Sequence, residues 1–201
     1  MASVLDLFCG VGGLSHGFRL EGFDIAAGVD IDEHFRHGYE ANNDAPFLRR
    51  DVAAMTAKDI DALFGPADST VLIGCAPCQP FSTAGKRKGQ ADERHLWPEM
   101  FRLVRECKPA IVFGEQVEGA IRHGWLDGVF GGLEGEGYAC GAAVLGAHSV
   151  GAPHIRQRLY WLADVEHRRP AIEEQGAESR ACVGGGGLGH SAGDRSEEPH
   201  V

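Results

Sequence analysis

Short β-branched or apolar runs alternate along this chain with stretches of helical spacing, and a chain built that way has few options besides a doubly wound, mostly parallel sheet flanked by helices. Strands are expected at 3–8, 23–29, 71–74, 111–114, 138–145 and 159–164, and helices at 13–21, 33–42, 57–63, 99–108 and 124–136. Glycine is frequent in the last of these helices, which weakens its intrinsic preference. After Asp164 the apolar periodicity stops. Residues 166–201 are rich in Gly, Glu, Ser and Arg and include the run Gly184 to Gly187, a composition expected to stay disordered. The expected organisation is one α/β domain over 1–165 followed by a Gly-rich tail over 166–201.

Composition narrows the function classes. No apolar run approaches the roughly 18 residues of a spanning helix, and MASVLDLFCG enters a strand pattern without a basic region and cleavage site. No membrane association and a cytoplasmic location are the expectation. The six cysteines then read as reduced thiols. A formal net charge of −10 argues against a protein that simply coats nucleic acid. From Lys86 to Lys108 the balance reverses, with seven basic residues against four acidic ones, so a local patch can still meet phosphates.

The first chemical motif is DLFCGVGG, Asp6 to Gly13, where a strand runs into a glycine-rich turn and then a helix. Gly10, Gly12 and Gly13 permit positive φ and close backbone approach, so a nucleotide-like ligand can lie against the helix N-terminus. A tight turn with no ligand is the plain alternative. Asp30, in the run Gly28-Val29-Asp30-Ile31-Asp32, lies about 20 positions beyond the glycines, where a carboxylate can accept hydrogen bonds from a ribose diol. Asp51 in RRDV is placed to reach an adenine amino group, although the residues alone favour a solvated loop position.

The run GCAPCQPFS, Gly74 to Ser82, sets Cys78 between two prolines just after an apolar segment. Pro77 and Pro80 restrict the loop backbone and so fix the direction of the thiol. Attack requires the thiolate, which a free cysteine with pKa near 8.5 supplies only to a few per cent at neutral pH, so ionisation must be assisted. Cys75, at the strand end, fits an inert packing role better. The CxxC formed by Cys75 and Cys78 also admits a redox or metal reading, but no partner pair at zinc spacing is present and neither reading explains the glycine turn. Glu115 follows the apolar run 111–114 and is expected to project from the C-terminal end of that strand, where open α/β sheets bind ligands. In GAPHIRQRLYWL, Arg156 and Arg158 stand two apart, on one side of an extended backbone, and suit phosphate or carbonyl recognition. His154 belongs to no metal-ligand pattern.

In order, DLFCGVGG, GVDID, RRDV, GCAPCQPFS, GEQVEG and GAPHIRQRLYW resemble the cytosine-C5 DNA methyltransferase family over Val4 to about Asp164. The resemblance implies a Rossmann-like domain with S-adenosylmethionine as methyl donor and no metal. It places the cofactor against Asp6, Phe8, Gly10, Gly12, Gly13, Asp30, Ile31, Asp51 and Pro77. It also makes Cys78 the nucleophile that adds to C6 of a cytosine flipped out of double-stranded DNA. Glu115 then matches the glutamate at N3 and the exocyclic amine, Arg158 the arginine at O2 with Arg156 beside it, and Ser82 to Trp97 the loop that closes over the base. Two departures leave these residues untouched: Glu115-Gln116-Val117 stands where the family has Glu-Asn-Val, and His154 where it often has glutamine. A third is larger, because family members continue into a target-recognition domain and a C-terminal motif; a second polypeptide supplying target recognition is one way to complete such a chain. A noncatalytic remnant that only binds S-adenosylmethionine and a tRNA cytosine-C5 methyltransferase are the alternative readings.

Overall fold

The structure, a computed structural model, describes residues 3–64, 70–75 and 96–165. Cys78, Pro77, most of the expected closing loop and the expected tail lie outside the described residues.

Seven strands form one sheet in the order β3-β2-β1-β4-β5-β7-β6. They are β1 (Ser3–Leu7), β2 (Asp24–Asp30), β3 (Phe47–Arg49), β4 (Thr70–Gly74), β5 (Ile111–Val117), β6 (Tyr138–Gly146) and β7 (Gln157–Val165). The helices are α1 (Gly13–Leu20), α2 (Arg36–Asn43), α3 (Ala57–Phe64), α4 (Trp97–Cys107) and α5 (Trp125–Gly135). The first five strands run parallel, and β7 enters antiparallel between β5 and β6. The expected doubly wound, mostly parallel architecture is therefore present.

The central strands are apolar on both faces because both are covered. Leu5, Leu7, Leu72 and Val112 pack into a core with α3, α4 and α5, while Val4, Val71 and Ile73 pack with Tyr39 of α2 and Leu14 and Phe18 of α1. α4 buries Trp97, Met100, Leu103, Val104 and Cys107 at helical spacing. Trp97 meets Trp161 edge-on at 5.4 Å and Trp125 at 6.0 Å, which ties the start of α4 to β7 and α5.

Three differences from the expected elements bear on function. β3 is three residues long, too short to show a period, and is held by pairing of Gly28 to Asp30 with Phe47 to Arg49. A 3-10 turn, Glu33–Phe35, precedes α2 and is capped by the Asp32 carboxylate. β5 continues three residues past its expected end because β7 pairs with it as far as Val117↔Arg158.

Candidate active site

β2 lies on one side of β1 and β4 on the other, so the chain changes direction across the sheet between β1 and β4. Ligand crevices of open α/β sheets form at such a point, beyond the carboxyl ends of the strands. Leu7 pairs with Gly74, which brings the next residues, Phe8 and Cys75, to the floor of that crevice. Two cavities meet there, and both are lined by Phe8 and Cys75.

The first cavity, about 360 Å³, is lined by Phe8, Gly10, Asp30, Ile31, Asp51 and Leu96, among others. Phe8 and Gly10 have φ of 59° and 51°, the left-handed geometry that turns the chain sharply off β1. A Cβ placed on Gly10 or Gly13 meets no protein atom within 4 Å, so both glycines leave space a ligand can fill. Gly12 differs: its Cβ would lie 2.1 Å from Asn43 Nδ2 and 2.7 Å from the Tyr39 ring, so its smallness serves packing. Asp30 is fixed by the turn it faces, since its Oδ2 accepts from Gly10 N–H and its Oδ1 from Asp32 N–H, both at 3.0 Å. Each carboxylate oxygen keeps a lone pair for a ribose hydroxyl. Asp51 caps a 3-10 turn, Val52–Ala54, with Oδ1 accepting from Ala53 N–H at 2.9 Å. The apolar Phe8, Ile31 and Leu96 with two oriented carboxylates fit an adenosine group, and Gly10 with the α1 N-terminus fits what is attached to it.

The second cavity, about 260 Å³, is lined by Asp6, Phe8, Gly13, Cys75, Glu115, Arg156 and Tyr160, among others. Glu115 faces Tyr160 across the β5–β7 ladder, and Arg158 is the diagonal neighbour on the same face. Arg158 Nε donates to Glu115 Oε1 at 2.6 Å, and the Cys75 thiol donates to Oε2 at 3.2 Å. Both side chains of the ion pair are about one-fifth exposed, a setting that screens little and leaves an opening for a polar ring. Burial, helped by the Glu115 charge, pushes the Cys75 thiol well above the ordinary cysteine range. Cys75 is a neutral donor at the site, which corrects its reading as packing alone. Arg156, at φ 30°, precedes β7 and borders this cavity and a neighbouring one of about 320 Å³ that Arg158 also lines.

Asp6 is 1% exposed and belongs to a buried relay. Ser15 Oγ donates to Asp6 Oδ2 at 2.7 Å, and the Tyr39 hydroxyl lies 2.9 Å from Ser15 Oγ. Ser15 has one proton and spends it on Asp6, so Tyr39 is the donor to Ser15 when Asp6 is ionised. Burial outweighs these bonds and raises the Asp6 pKa to about 7.

Of the residues singled out from sequence, the structure brings Asp6, Phe8, Gly10, Gly13, Asp30, Ile31, Asp51, Glu115 and Arg156 to the two cavities, with Arg158 bonded to Glu115. Sequence reasoning missed Ser15, Tyr39, Leu96 and Tyr160. Only the apolar i, i+4 spacing of α1 hints that Ser15 is interior. Among the described residues no group of three His, Cys, Asp or Glu side chains could hold a metal ion, and no helix is long and apolar enough to cross a membrane.

Comparison with known proteins supplies the family. The model of the C-5 cytosine-specific DNA methylase family matches residues 2–179. Type II methylase M.HgiDII of Herpetosiphon aurantiacus is 36% identical over 170 residues, which cover 81% of this chain and 47% of that protein. Type II methyltransferase M.AquIA of Picosynechococcus is 33% identical over 175 residues, covering 78% and 69%. A putative DNA modification methyltransferase encoded within an E. coli prophage superposes with a TM-score of 0.67 at 29% identity, covering 83% of this chain and 47% of that one. The S. pombe Dnmt2 methyltransferase shares the fold with a TM-score of 0.69 at 24% identity, covering 92% and 59%. The chain spans about half the length of the first relatives it matches. A family match over most of the sequence, joined to a crevice at the switch point of the sheet, leads to one assignment: the chain belongs to the C-5 cytosine-specific DNA methylases.

Proposed function

We propose that this chain carries the catalytic part of a DNA cytosine-C5 methyltransferase, which moves a methyl group from S-adenosylmethionine to C5 of a flipped cytosine through a covalent Cys78–C6 adduct. The observation that carries this reading is the pair of cavities sharing Phe8 and Cys75: one offers carboxylates to a nucleoside, the other an ion pair to a polar base. When bound, S-adenosylmethionine supplies an electrophilic methyl group. Asp30 holds the ribose hydroxyls, Asp51 the adenine amine, and Gly10 lets the ligand approach the backbone; the family resemblance adds Pro77 to the cofactor-binding residues. At the second cavity Glu115 bonds N3 and the exocyclic amine, Arg156 lines the same space, and Arg158, bonded to Glu115 and lining the neighbouring cavity, hydrogen-bonds the cytosine O2. Cys78 follows Cys75 by three residues in the sequence, and its role as nucleophile rests on the family motif.

The chemistry balances on these groups. The Cys78 thiolate adds to C6; Glu115, acting in this step as the carboxylic acid, passes a proton to N3 and so neutralises the displaced electron pair, while Arg158 stabilises it at O2. C5 takes the methyl group. Solvent water then takes the C5 proton, the C5=C6 double bond re-forms as the S–C6 bond breaks, the thiolate is regenerated and N3 returns its proton to Glu115. A 5-fluorocytosine in the duplex cannot complete that elimination, so a competent enzyme is trapped on it.

The test is adduct formation with a pool of random duplexes containing 5-fluorocytosine, in the presence of S-adenosylmethionine, followed on denaturing gels. The expected outcome is an adduct with wild type and none with Cys78→Ala. Equal signals from the two chains, or an adduct with tRNA in place of duplex DNA, would remove the assignment. Because the matched relatives are longer, the same assay is run with a second polypeptide carrying their remaining half, the partner expected to supply target recognition.

A further inference from the structure

Arg102 lies on α4, outside both cavities, and it is the most heavily used guanidinium among the described residues. Its Nη2 donates to three carbonyl oxygens of one turn: Met55 at 2.9 Å, Val52 at 3.3 Å and Ala53 at 3.4 Å. The other nitrogens are held by carboxylates of the same helix, Nε by Glu99 at 3.0 Å and Nη1 by Glu106 at 3.1 Å. Those i−3 and i+4 pairs fix the guanidinium before it meets the turn. The turn itself is the 3-10 segment that Asp51 caps: Asp51 Oδ1 accepts from Ala53 N–H, and the Asp51 carbonyl accepts from Ala54 N–H at 3.0 Å. Its last carbonyls point away from Asp51 and end on Arg102.

The turn is therefore gripped at both ends. Val52 and Met55, at 3% and 2% exposure, are buried under it, so it cannot shift by sliding outward without opening the core. A carboxylate that must discriminate one ring substituent from another has to be placed to within a fraction of an ångström, and a loop does that only if supporting groups hold it. From this geometry we infer that Arg102 is the positioning residue for Asp51, setting how strictly the first cavity selects an adenine over a purine lacking the 6-amino group. The inference rests on the reading of that cavity as the S-adenosylmethionine site. It adds a link from α4, the helix that follows the nucleophile-bearing segment in the sequence, to the base end of the cofactor.

The test compares binding of S-adenosylhomocysteine and S-inosylhomocysteine to the full chain by calorimetry. These ligands differ only along the C6–N1 edge of the purine, an amine and a bare N1 against a carbonyl and N1–H, so their affinity ratio reports on contacts at that edge and not on general loss of structure. Wild type is expected to prefer the adenosyl ligand by about tenfold, the worth of one charge-assisted hydrogen bond. Asp51→Asn should bring the ratio to about one and Arg102→Met to below about threefold. Arg102→Lys, which keeps the charge and one donor, should fall between, and serves if the methionine variant folds poorly. A wild-type preference left unchanged by both Arg102 variants overturns this inference while leaving the cofactor site standing. A wild-type ratio near one removes the adenine assignment of Asp51 and this inference together.

Discussion

The two cavities that meet at Phe8 and Cys75 are built in opposite ways. The first cavity is assembled from neighbours in sequence: a glycine turn closes on the carboxylate of the next strand, Asp32 caps its own following turn, and Asp51 does the same. The second cavity is assembled across the sheet, where Glu115 of β5 meets Cys75 at the end of β4 and Arg158 of β7. Locally built sites are bound to a backbone shape; sites built across strands are bound to register. The first kind survives wherever the motif survives, and the second exists only once β7 has inserted antiparallel beside β5.

That contrast is open to attack, most forcefully through Glu115. Glu115→Gln keeps size and polarity but removes the charge facing Arg158, and should cut adduct formation by roughly a hundredfold or more. S-adenosylmethionine affinity by calorimetry should stay within about twofold. If both fall together, the cavities do not act as separable parts. A steric probe comes next. Gly28→Ala would put a Cβ 2.2 Å from the Tyr39 ring, a clash expected to cost about 2–3 kcal/mol in urea unfolding. Gly10→Ala meets no atom within 4 Å and bears only its positive φ, a cost of about 1 kcal/mol, while lowering cofactor affinity.

The smallest effect is a pH dependence. Asp6 holds its proton up to about pH 7 in the folded protein, against 3.8 for an ordinary aspartate. Between those values the folded state binds more protons than the unfolded one, so stability falls as pH rises and the loss is complete above the folded pKa. Wild type should lose about 1 kcal/mol between pH 6 and 8, and Asp6→Asn should flatten that part of the profile. An unchanged slope in the variant would show that another group carries it.

The legible half of the molecule was the local half. DLFCGVGG announces a strand, a turn and a helix, and Asp30, about 20 positions on, faces the Gly10 turn, because both depend on spacing within one βαβ unit. What the residues do not announce is β3, too short for a period, or the extension of β5 to Val117, which is a property of its partner β7. Glu115 accordingly sits inside a ladder, not past a strand end. Cys75 looked inert because a thiol before a proline-rich loop carries no mark of the carboxylate it will face. Gly12 looked like part of a ligand cradle because a sequence does not say whether a glycine yields space to a ligand or to a tyrosine. Cys78 and Pro77, at the centre of the proposed chemistry, rest on sequence and family.

Tyr39 occupies the room that both Gly12 and Gly28 give up, and its hydroxyl ends the relay to Asp6. Volume at these three positions is consequently a shared quantity, set by their sum and not position by position. Substitution histories in this family should record it as covariation between 28 and 39: where the ring is lost, Gly28 is released to become alanine, while Gly12 stays held by Asn43 and by its φ of 82°. A library varying 28 and 39 together would recover folded combinations that no single change reaches, and would fix the order in which such a pair can drift.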